Sequence, residues 1–388
     1  MDYSSSFQKK HNSRHDSRHD VRVITFNLLS QETINDVYFP LVKKHYSEFD
    51  GRSVKMKKLL ESWMKVNFII CLQEMSVQWQ KVLQPFFAEN NYGFESQTYA
   101  NGKMGVGIAY PFNHYDLLKK DEYVCGTGVK PILHALKRVD KKFKPHVSHA
   151  SKKGYHEGVE IDMKPIIDEL SDATDAKNVL LSLLLHCKFK GSSTGKNLIV
   201  STYHMPCRFM LKYYLVSHIL ALKTRLSELS DAWSQQFGDQ TVNQSANSTP
   251  TILAGDFNIS AKSPEYKFLT GEAYTENEIL TQKAECGESI EFVRNSDLLY
   301  NATGFDVNSG MKLRSVHKTL HGKEPPYTNV SLKADFTFVE CIDYILISDD
   351  VDIRSCTVGL TVDNPHGTPY PNGLCPSDHL PLSASLSI

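Results

Sequence analysis

The sequence predicts an α/β fold in which sheets and helices pack in layers. Two observations lead to this prediction. Short apolar runs of strand length recur along the chain, for example at residues 21–26 and 67–72. Between such runs lie segments with apolar residues at helical spacing, the longest of them at residues 209–237. Because both patterns alternate along the whole chain, we expect helices that pack on sheets.

The predicted elements begin at Val21, where apolar and polar residues alternate as they do in a half-buried strand. The run at 67–72 is apolar almost throughout, which indicates a buried strand. The polar residues of 238–250 predict a loop. Helices are expected at 52–66, 76–89 and 209–237, and further strands at 104–110, 180–189, 198–203, 251–254, 342–347, 353–358 and 380–386.

Charge, cysteines and the N-terminus narrow the class of protein. Lys plus Arg number 43 against 44 Asp plus Glu, so the net charge of -1 excludes a protein-wide basic field for nucleic acid. None of the eight cysteines is spaced as Cys-x-x-Cys, which argues against a zinc ribbon or a redox motif. No apolar signal-peptide region and no membrane span are evident. We therefore expect an intracellular protein, cytoplasmic or nuclear.

Polar residues recur where the predicted strands stop. In α/β sheets, ligands bind beyond one end of the strands, so these residues could converge on one site. Each of them alone is also explained by a turn or by the first turn of a helix. Asp343 is different, because a carboxylate inside an apolar strand needs a partner, and His379 is a candidate. The set comprises Asn27, Glu74, His204, Asp256, Asn258, Asp343, Asp378 and His379.

This set, in this order, resembles the endonuclease/exonuclease/phosphatase superfamily from about Val21 to the C-terminus. The most specific motifs are Gly-Asp-Phe-Asn at 255–258 and Ser-Asp-His-Leu-Pro at 377–381. Tyr-Thr-Asn at 327–329, followed by Phe338 and Ile-Asp-Tyr-Ile at 342–345, is similar to the deadenylase–nocturnin branch. The resemblance implies a four-layer α/β sandwich, with two mixed β-sheets packed face to face and flanked by helices.

A site of oxygen ligands and imidazole without thiolates suits Mg²⁺ or Mn²⁺. Glu74 is the first candidate as metal ligand, together with Asn27 and Asp378. The cation would polarise a phosphate oxygen and stabilise charge on the leaving oxygen. These residues therefore predict divalent-metal-dependent hydrolysis of a phosphodiester bond.

The resemblance also implies roles for the remaining polar residues. Asp256 would help to activate the attacking water, and Asn258 would donate its amide hydrogens to a phosphate oxygen. His379, held and kept cationic by Asp343, would neutralise the phosphoryl transition state, because such a pairing raises the pKa of the histidine. His204 would be a further donor to the phosphate.

The branch resemblance favours a 3′-exonuclease on single-stranded RNA, including poly(A), that leaves 5′-phosphate products. Phe338 matches the aromatic that stacks on a base in related deadenylases, although a core aromatic would explain it equally well. Asn329, Pro206 and Lys103 are further candidates for the nucleotide pocket. The expected partner is therefore nucleic acid.

Several other functions fit the same residues. A 2′,5′-phosphodiesterase would share every catalytic residue, as would an apurinic-site endonuclease or general nuclease, although His204 stands where apurinic endonucleases have Tyr. A phosphoinositide phosphatase is less favoured, because the chain has no Pro-x-Trp-Cys-Asp-Arg signature. An inactive nucleic-acid-binding module is the alternative from another class.

One site that draws on residues from Asn27 to His379 predicts a single domain. At about 150 residues per domain, the 388 residues could otherwise form two or three. We expect a disordered tail at 1–20, one catalytic domain at 21–388, and a charged insertion at about 112–178, the least regular stretch. Its basic block at 130–156 is either a solvated surface or a polyanion-binding arm.

Overall fold

The computed structural model describes residues 19–99, 102–147, 163–188, 195–237, 248–272, 310–334 and 336–388, and only the backbone of 139–147 and of Met163. Its helices are α1 (Lys44–Ser47), α2 (Phe49–Met64), α3 (Val77–Glu89), α4 (Cys125–Val147), α5 (Met163–Thr174), α6 (Lys212–Phe237), α7 (Pro264–Thr270) and α8 (Val316–His321). Its strands are β1 (Asp20–Asn27), β2 (Ile69–Gln73), β3 (Tyr92–Thr98), β4 (Gly105–Pro111), β5 (Tyr115–Val124), β6 (Val179–Cys187), β7 (Asn197–His204), β8 (Thr251–Asp256), β9 (Arg314–Ser315), β10 (Asn329–Leu332), β11 (Thr337–Glu340), β12 (Asp343–Ile347), β13 (Asp352–Val358) and β14 (Leu382–Ser387).

The strands form two six-stranded sheets and one separate hairpin. The first sheet has the order β13-β14-β1-β2-β4-β3, and the second has the order β5-β6-β7-β8-β12-β9. β1 and β2 run parallel, as do β7 and β8, whereas the other neighbouring strands are antiparallel, so both sheets are mixed. β10 and β11 pair only with each other.

The two sheets pack face to face over an apolar core. All of β2 is buried, and its side chains alternate between two environments. Cys71 packs between the sheets with residues such as Val200 of β7, whereas Ile70 and Leu72 pack on the outer side against the helices. Burial on both faces explains why this strand is a nearly continuous apolar run in the sequence.

Helices cover the outer face of each sheet. Trp63 of α2 and Trp79 of α3 belong to the apolar cluster on the first sheet. Residues of α4, α5 and α6 pack on the second sheet, where they share a cluster with Leu180 and Leu253. The layers are therefore helix, sheet, sheet and helix, which confirms the expected four-layer α/β sandwich.

The start of α6 and the presence of β3 differ from the sequence expectation. α6 begins at Lys212 rather than at residue 209, and Phe209, expected on its apolar stripe, is 62% exposed. A turn closed by the Leu211 N–H and the Arg208 carbonyl at 2.7 Å precedes the helix. β3 was not expected from sequence, because its polar residues 95–97 dilute the strand pattern.

The expectation that residues 112–178 are the least regular stretch is wrong for the part that the structure describes. β5 pairs with β6 along its length, and α4 and α5 follow. α4 is amphipathic: Val129, Ile132 and Leu136 are buried, while Lys130 and Arg138 are exposed. The many basic residues on the outer face of this helix obscure its apolar stripe in the sequence.

Some expectations fall outside the described residues. Of the tail expected at 1–20, the structure describes only His19 and Asp20, and Asp20 already belongs to β1. The loop expected at 238–250 is described only from residue 248. The side chains of the basic block are described only as far as Arg138. Within the described part of the chain, none of the helices is long and apolar enough to cross a membrane.

Strand direction brings the polar strand ends to one edge of the sandwich. Parallel β7 and β8 end together, so that His204 and Asp256 lie in register. Antiparallel β12 begins at the same level, because Asp343 pairs with Asp256. In the first sheet, Asn27 of β1 lies in register with Gln73, directly before Glu74.

Candidate active site

Asn27 joins the two sheets at this edge. Its side-chain amide donates hydrogen bonds to Glu74 Oε1 at 3.1 Å and to Asp256 Oδ2 at 3.0 Å. Its own Oδ1 accepts the N–H of Leu29 at 2.8 Å, which fixes the orientation of the amide. Because Glu74 follows the first sheet and Asp256 ends the second, these residues belong to one site.

Glu74 is held by the backbone as well as by Asn27. It lies in the left-handed region, with φ of 53°, a conformation that costs energy for a residue with a side chain. Its Oε2 accepts the N–H of Ser30 at 2.7 Å. Asn258 has the same kind of backbone conformation, with φ of 49°. Backbone strain of this type concentrates at functional sites, where the surrounding structure maintains it.

Asp256 lies at the centre of the site. Its Oδ1 accepts the N–H of Asn258 at 2.9 Å. Its Oδ2, already bound to Asn27, also lies 3.5 Å from His204 Nε2 and 3.6 Å from His379 Nε2. The carboxylate is 1% exposed. One buried carboxylate oxygen therefore faces side-chain nitrogen atoms from three different segments of the chain.

His379 bridges Asp256 to a second buried carboxylate. Its Nδ1 lies 2.9 Å from Asp343 Oδ2, which confirms the pairing expected from sequence. Burial on its own lowers the pKa of His379, but the charges of Asp343 and Asp256 outweigh burial and raise the pKa well above its ordinary value. Because each ring nitrogen faces a carboxylate, we assign His379 as an imidazolium.

Asp378 and Asn329 lie beside this chain of charges. Asp378 Oδ2 accepts a long hydrogen bond of 3.4 Å from the Asn329 amide. Burial raises the pKa of Asp378, the charge of His379 opposes this rise, and the charge of Glu74 adds to it. The two carboxylates therefore repel each other, which a cation bound by both would relieve.

Arg52 of α2 is a residue that sequence reasoning missed. Its buried guanidinium donates to the carbonyls of Leu28, Leu29 and Pro376 at 2.5–2.8 Å. These carbonyls belong to the loop that follows Asn27 and to the loop that carries residues 377–379. The signal was present in the sequence, because Arg52 occupies an apolar position of its helix, on the same buried face as Met56.

Thr328 and Asn178 position catalytic candidates without reaching the centre of the site. Thr328 Oγ1 accepts the N–H groups of Ile342 and Asp343, both at 3.0 Å. The Asn178 side chain donates to the carbonyl of His204 at 2.7 Å. Sequence reasoning assigned neither residue a role, since both are polar residues in segments without a regular pattern.

The candidates for substrate binding lie around this centre. Pro206 follows Met205, whose N–H donates to the Asp256 carbonyl at 2.8 Å. The Asn258 amide donates to the Met205 carbonyl at 2.8 Å, which leaves one amide hydrogen for a ligand. Phe338 is half-buried on β11 and belongs to none of the core clusters within the described residues. Lys103 is exposed, and its Nζ lies 3.6 Å from Glu32.

Sequence comparison places this arrangement in a known family. The profile of the Endonuclease/Exonuclease/phosphatase family matches residues 24–379, a range that contains every site residue described above. The chain belongs to this family. Its members hydrolyse phosphoester bonds and depend on divalent metals. No curated protein matches the chain in sequence.

Solved structures of other family members share the fold. ANGEL2, described as a 2′,3′-cyclic phosphatase and solved with adenosine-2′,3′-vanadate, superposes with a TM-score of 0.62 at 17% identity, over 98% of this chain and 99% of that one. The human Nocturnin catalytic domain with bound sulfate gives 0.50 at 16% identity, over 95% and 97%. The Bacteroides thetaiotaomicron mannosyl-6-phosphatase Bt3783 gives 0.50 at 13% identity, over 94% and 99%. Such low identities establish the fold alone.

The residues of this family member fit a divalent cation on the Glu74 side of the site. Asp378 Oδ1 and Asn329 Oδ1 are buried and have no hydrogen-bond donor among the described residues. Buried oxygen atoms without donors are costly, and carboxylate and amide oxygens are the ligands that Mg²⁺ and Mn²⁺ prefer. In this geometry the Asn27 amide donates to the Glu74 carboxylate and orients it. For Asn27 itself to bind the cation, its amide would have to flip so that Oδ1 takes the place of Nδ2.

A second group fits a cation less well. One ligand atom each of Asp256, Asp343 and His379 lies within 4.8 Å of the others. Both ring nitrogens of His379 face carboxylates, however, and an imidazolium has no lone pair for a metal. This side of the site is therefore better suited to stabilise negative charge on a phosphate.

Proposed function

We propose that this protein is a divalent-metal-dependent phosphodiesterase that removes nucleotides from the 3′ end of single-stranded RNA, with poly(A) as the first substrate to test. The observation that carries the proposal is the convergence of Glu74, Asp256 and His379 around the Asn27 amide. This convergence supports a site that combines a bound cation, a proton acceptor and an imidazolium, the groups that phosphodiester hydrolysis uses.

In the proposed reaction, Asp256 accepts a proton from the attacking water. The water oxygen bonds to phosphorus, and the bond from phosphorus to the 3′-oxygen of the preceding nucleotide breaks. The released nucleotide keeps a 5′-phosphate, and the leaving 3′-oxygen takes a proton from solvent water, so that the shortened RNA ends in a 3′-hydroxyl. A bound Mg²⁺ or Mn²⁺ supplies positive charge that neutralises the phosphate.

The other residues stabilise the phosphoryl group. His379, held by Asp343 at 2.9 Å, places an imidazolium against the non-bridging oxygens. His204 Nε2, 3.5 Å from Asp256, lies near enough to donate to the same group. The free amide hydrogen of Asn258 is a third donor, since the Asn258 amide uses one hydrogen on Met205.

The β10–β11 hairpin supports a nucleotide substrate. It begins at Asn329, which pairs with His379 as an isolated β-bridge. Phe338 on this hairpin lies outside the apolar core, and a base stacked on an aromatic ring contributes about 1–3 kcal/mol. ANGEL2, which has the same fold, binds an adenosine derivative in its solved structure.

A substrate panel tests the proposal. Purified protein with Mg²⁺ or Mn²⁺ is incubated with oligoadenylate, mixed-sequence RNA, 2′,5′-linked adenylate, abasic DNA, inositol phosphates and RNA that ends in a 2′,3′-cyclic phosphate. The last substrate is included because ANGEL2 is described as a 2′,3′-cyclic phosphatase. We expect stepwise shortening of oligoadenylate from its 3′ end, release of 5′-AMP, and loss of activity with a chelator.

The result that overturns the proposal is equally specific. Folded, metal-loaded protein that leaves 3′,5′-linked RNA intact while it cleaves another member of the panel would assign the site to that substrate class. Metal-dependent RNA binding without turnover of any substrate would identify an inactive binding module.

A further inference from the structure

The β10–β11 hairpin projects from the active site. It leaves the site at Asn329, beside His379, and the chain returns at Asp343. The Lys333 N–H donates to the Phe336 carbonyl at 2.8 Å, which continues the ladder of the two strands to the tip. The hairpin is therefore an arm whose base is the catalytic site.

One face of this arm looks toward the catalytic loop. Alternate residues of a strand share a face, so Phe336, Phe338 and Glu340 lie on the same side. Glu340 accepts hydrogen bonds from Ser260 at 3.1 Å and from Lys262 at 2.9 Å. Ser260 and Lys262 closely follow Asn258 in sequence. The side of β11 that carries the two phenylalanines therefore faces the segment that leaves the site.

The two phenylalanine rings form a continuous aromatic surface. Their centroids are 6.4 Å apart, and their planes are inclined at 31°. Phe338, nearer the site, is half-buried, whereas Phe336, nearer the tip, is 53% exposed. A single exposed aromatic needs no explanation. Two aromatics two strand residues apart, the outer one open to solvent, make a row that leads away from the catalytic residues.

Basic residues accompany this aromatic row. Lys333 lies directly opposite Phe336, and its Nζ is 4.8 Å from the ring centroid of Tyr38, which is 51% exposed. Arg208, in the loop after His204, is exposed. Stacking rings combined with basic side chains are typical of proteins that bind single-stranded nucleic acid.

We propose that Phe336 is a second base platform, which stacks on the nucleotide next to the one at Phe338, with Lys333 contacting the phosphate of that nucleotide. This inference rests on the proposed function and adds to it a preference for single strands with at least two ordered bases. The row starts at the catalytic edge and presents an open ring at the tip of the hairpin, with Lys333 opposite Phe336 in the hairpin.

The experiment compares two substrates that differ in the second base. One is a short oligoadenylate, and the other is the p-nitrophenyl ester of adenosine 5′-phosphate, which has a single nucleoside. Phe336→Ala is expected to lower the ratio of kcat/KM for the oligoadenylate to kcat/KM for the ester by about 5- to 150-fold, through KM. Phe336→Trp should restore the ratio. Phe112→Ala is the matched control, because Phe112 is 44% exposed and follows the end of β4 that lies away from the catalytic edge.

An abasic oligonucleotide identifies the base involved. In the wild type, removing the base second from the 3′ end should reproduce the effect of Phe336→Ala, and in the variant the same removal should have little further effect. An unchanged ratio in Phe336→Ala, or an abasic penalty that persists in full in the variant, would overturn the inference.

Binding separates this inference from the proposed function. Anisotropy of a 5′-labelled oligoadenylate, measured with Ca²⁺, reports affinity without requiring turnover. If no RNA is cleaved, the proposed function fails. Weaker binding by Phe336→Ala than by Phe112→Ala would still support the platform, and equal binding would reject it.

Discussion

The two sides of the active site differ in how the negative charge of their carboxylates is compensated. On the histidine side, both nitrogens of His379 face carboxylates, those of Asp343 and Asp256. On the Glu74 side, Asp378 Oδ1 and Asn329 Oδ1 are buried without a donor among the described residues. The histidine side holds its own cation, the His379 imidazolium between two carboxylates, although Asp343 Oδ1 is also buried without a donor. On the Glu74 side, neither Glu74 nor Asp378 forms an ion pair with a protein cation among the described residues. The difference indicates that one side is built for transition-state charge and the other for a cation.

Removal of a proposed cation ligand should have the largest effect. We expect Glu74→Ala to lower kcat/KM by about 10³-fold or more, because the charge stabilisation supplied by a metal is worth several kcal/mol. The rise in Tm that Mn²⁺ produces in the wild type should also disappear. Glu32→Ala removes an exposed carboxylate near the same edge and serves as the control. A Glu74→Ala protein that keeps its Mn²⁺-dependent rise in Tm would show that the cation binds elsewhere.

His379→Gln should remove the imidazolium of the histidine side without affecting the binding of the cation. We expect a loss of about 10²–10³-fold in kcat, the usual size for removal of one preorganised donor. The response of Tm to Mn²⁺ should remain, because His379 is not proposed as a ligand. Together with Glu74→Ala, this variant tests whether the two sides are separate. If metal binding is lost in both variants, the group of Asp256, Asp343 and His379 holds the cation after all.

The catalytic candidates on both sides of the site could be predicted from the sequence. Asn27, Glu74, His204 and Asp256 follow apolar strands directly, so the amino-acid pattern alone reveals their order and their position at strand ends. The pairing of Asp343 with His379 followed from the cost of a buried charge. These residues are close in space because parallel and antiparallel strands meet at one edge.

The supporting residues could not be predicted in the same way. The position of Arg52 on the apolar face of its helix is visible in the sequence, but its partners are three carbonyl groups, which leave no trace in a sequence pattern. Asn178 reaches His204 from a connecting segment, and its partner is again a backbone atom. The β10–β11 hairpin was also missed, since it pairs with neither sheet and has short, partly polar strands. Contacts to backbone and isolated hairpins depend on tertiary structure.

Arg52→Lys should have an intermediate effect on the Glu74 side. Lysine keeps the positive charge but cannot span the carbonyls of Leu28, Leu29 and Pro376 at once. We expect the apparent affinity for Mn²⁺ to fall about 10- to 100-fold, as it does when residues that orient metal ligands are changed. Metal titration of activity and of Tm would measure the loss. Lys58→Arg, on the same helix and outside its buried face, is the control.

An unchanged Mn²⁺ affinity in Arg52→Lys, together with lower stability, would make Arg52 a purely structural residue. The opposite result, a loss of affinity in a protein of normal stability, would identify it as the residue that sets the geometry of both metal-side loops.

His218 shows what burial does to a histidine without a carboxylate, and it provides the smallest predicted effect. It lies on the buried face of α6 with Nδ1 2.7 Å from the Tyr203 hydroxyl, and burial lowers its pKa to about 4. The folded protein therefore binds a proton at His218 less readily than the unfolded chain, whose pKa is about 6.5. The contribution to stability is present above about pH 6.5 and is lost as the pH falls toward 4, by at most about 3 kcal/mol.

His218→Gln should reduce the pH dependence of the free energy of unfolding between these pH values, as measured by denaturant titrations. His366→Gln, at an exposed position, is the control for the substitution itself. If the free energy of unfolding depends on pH equally in the wild type and in His218→Gln, other groups cause the acid sensitivity, and burial does not lower the pKa of His218.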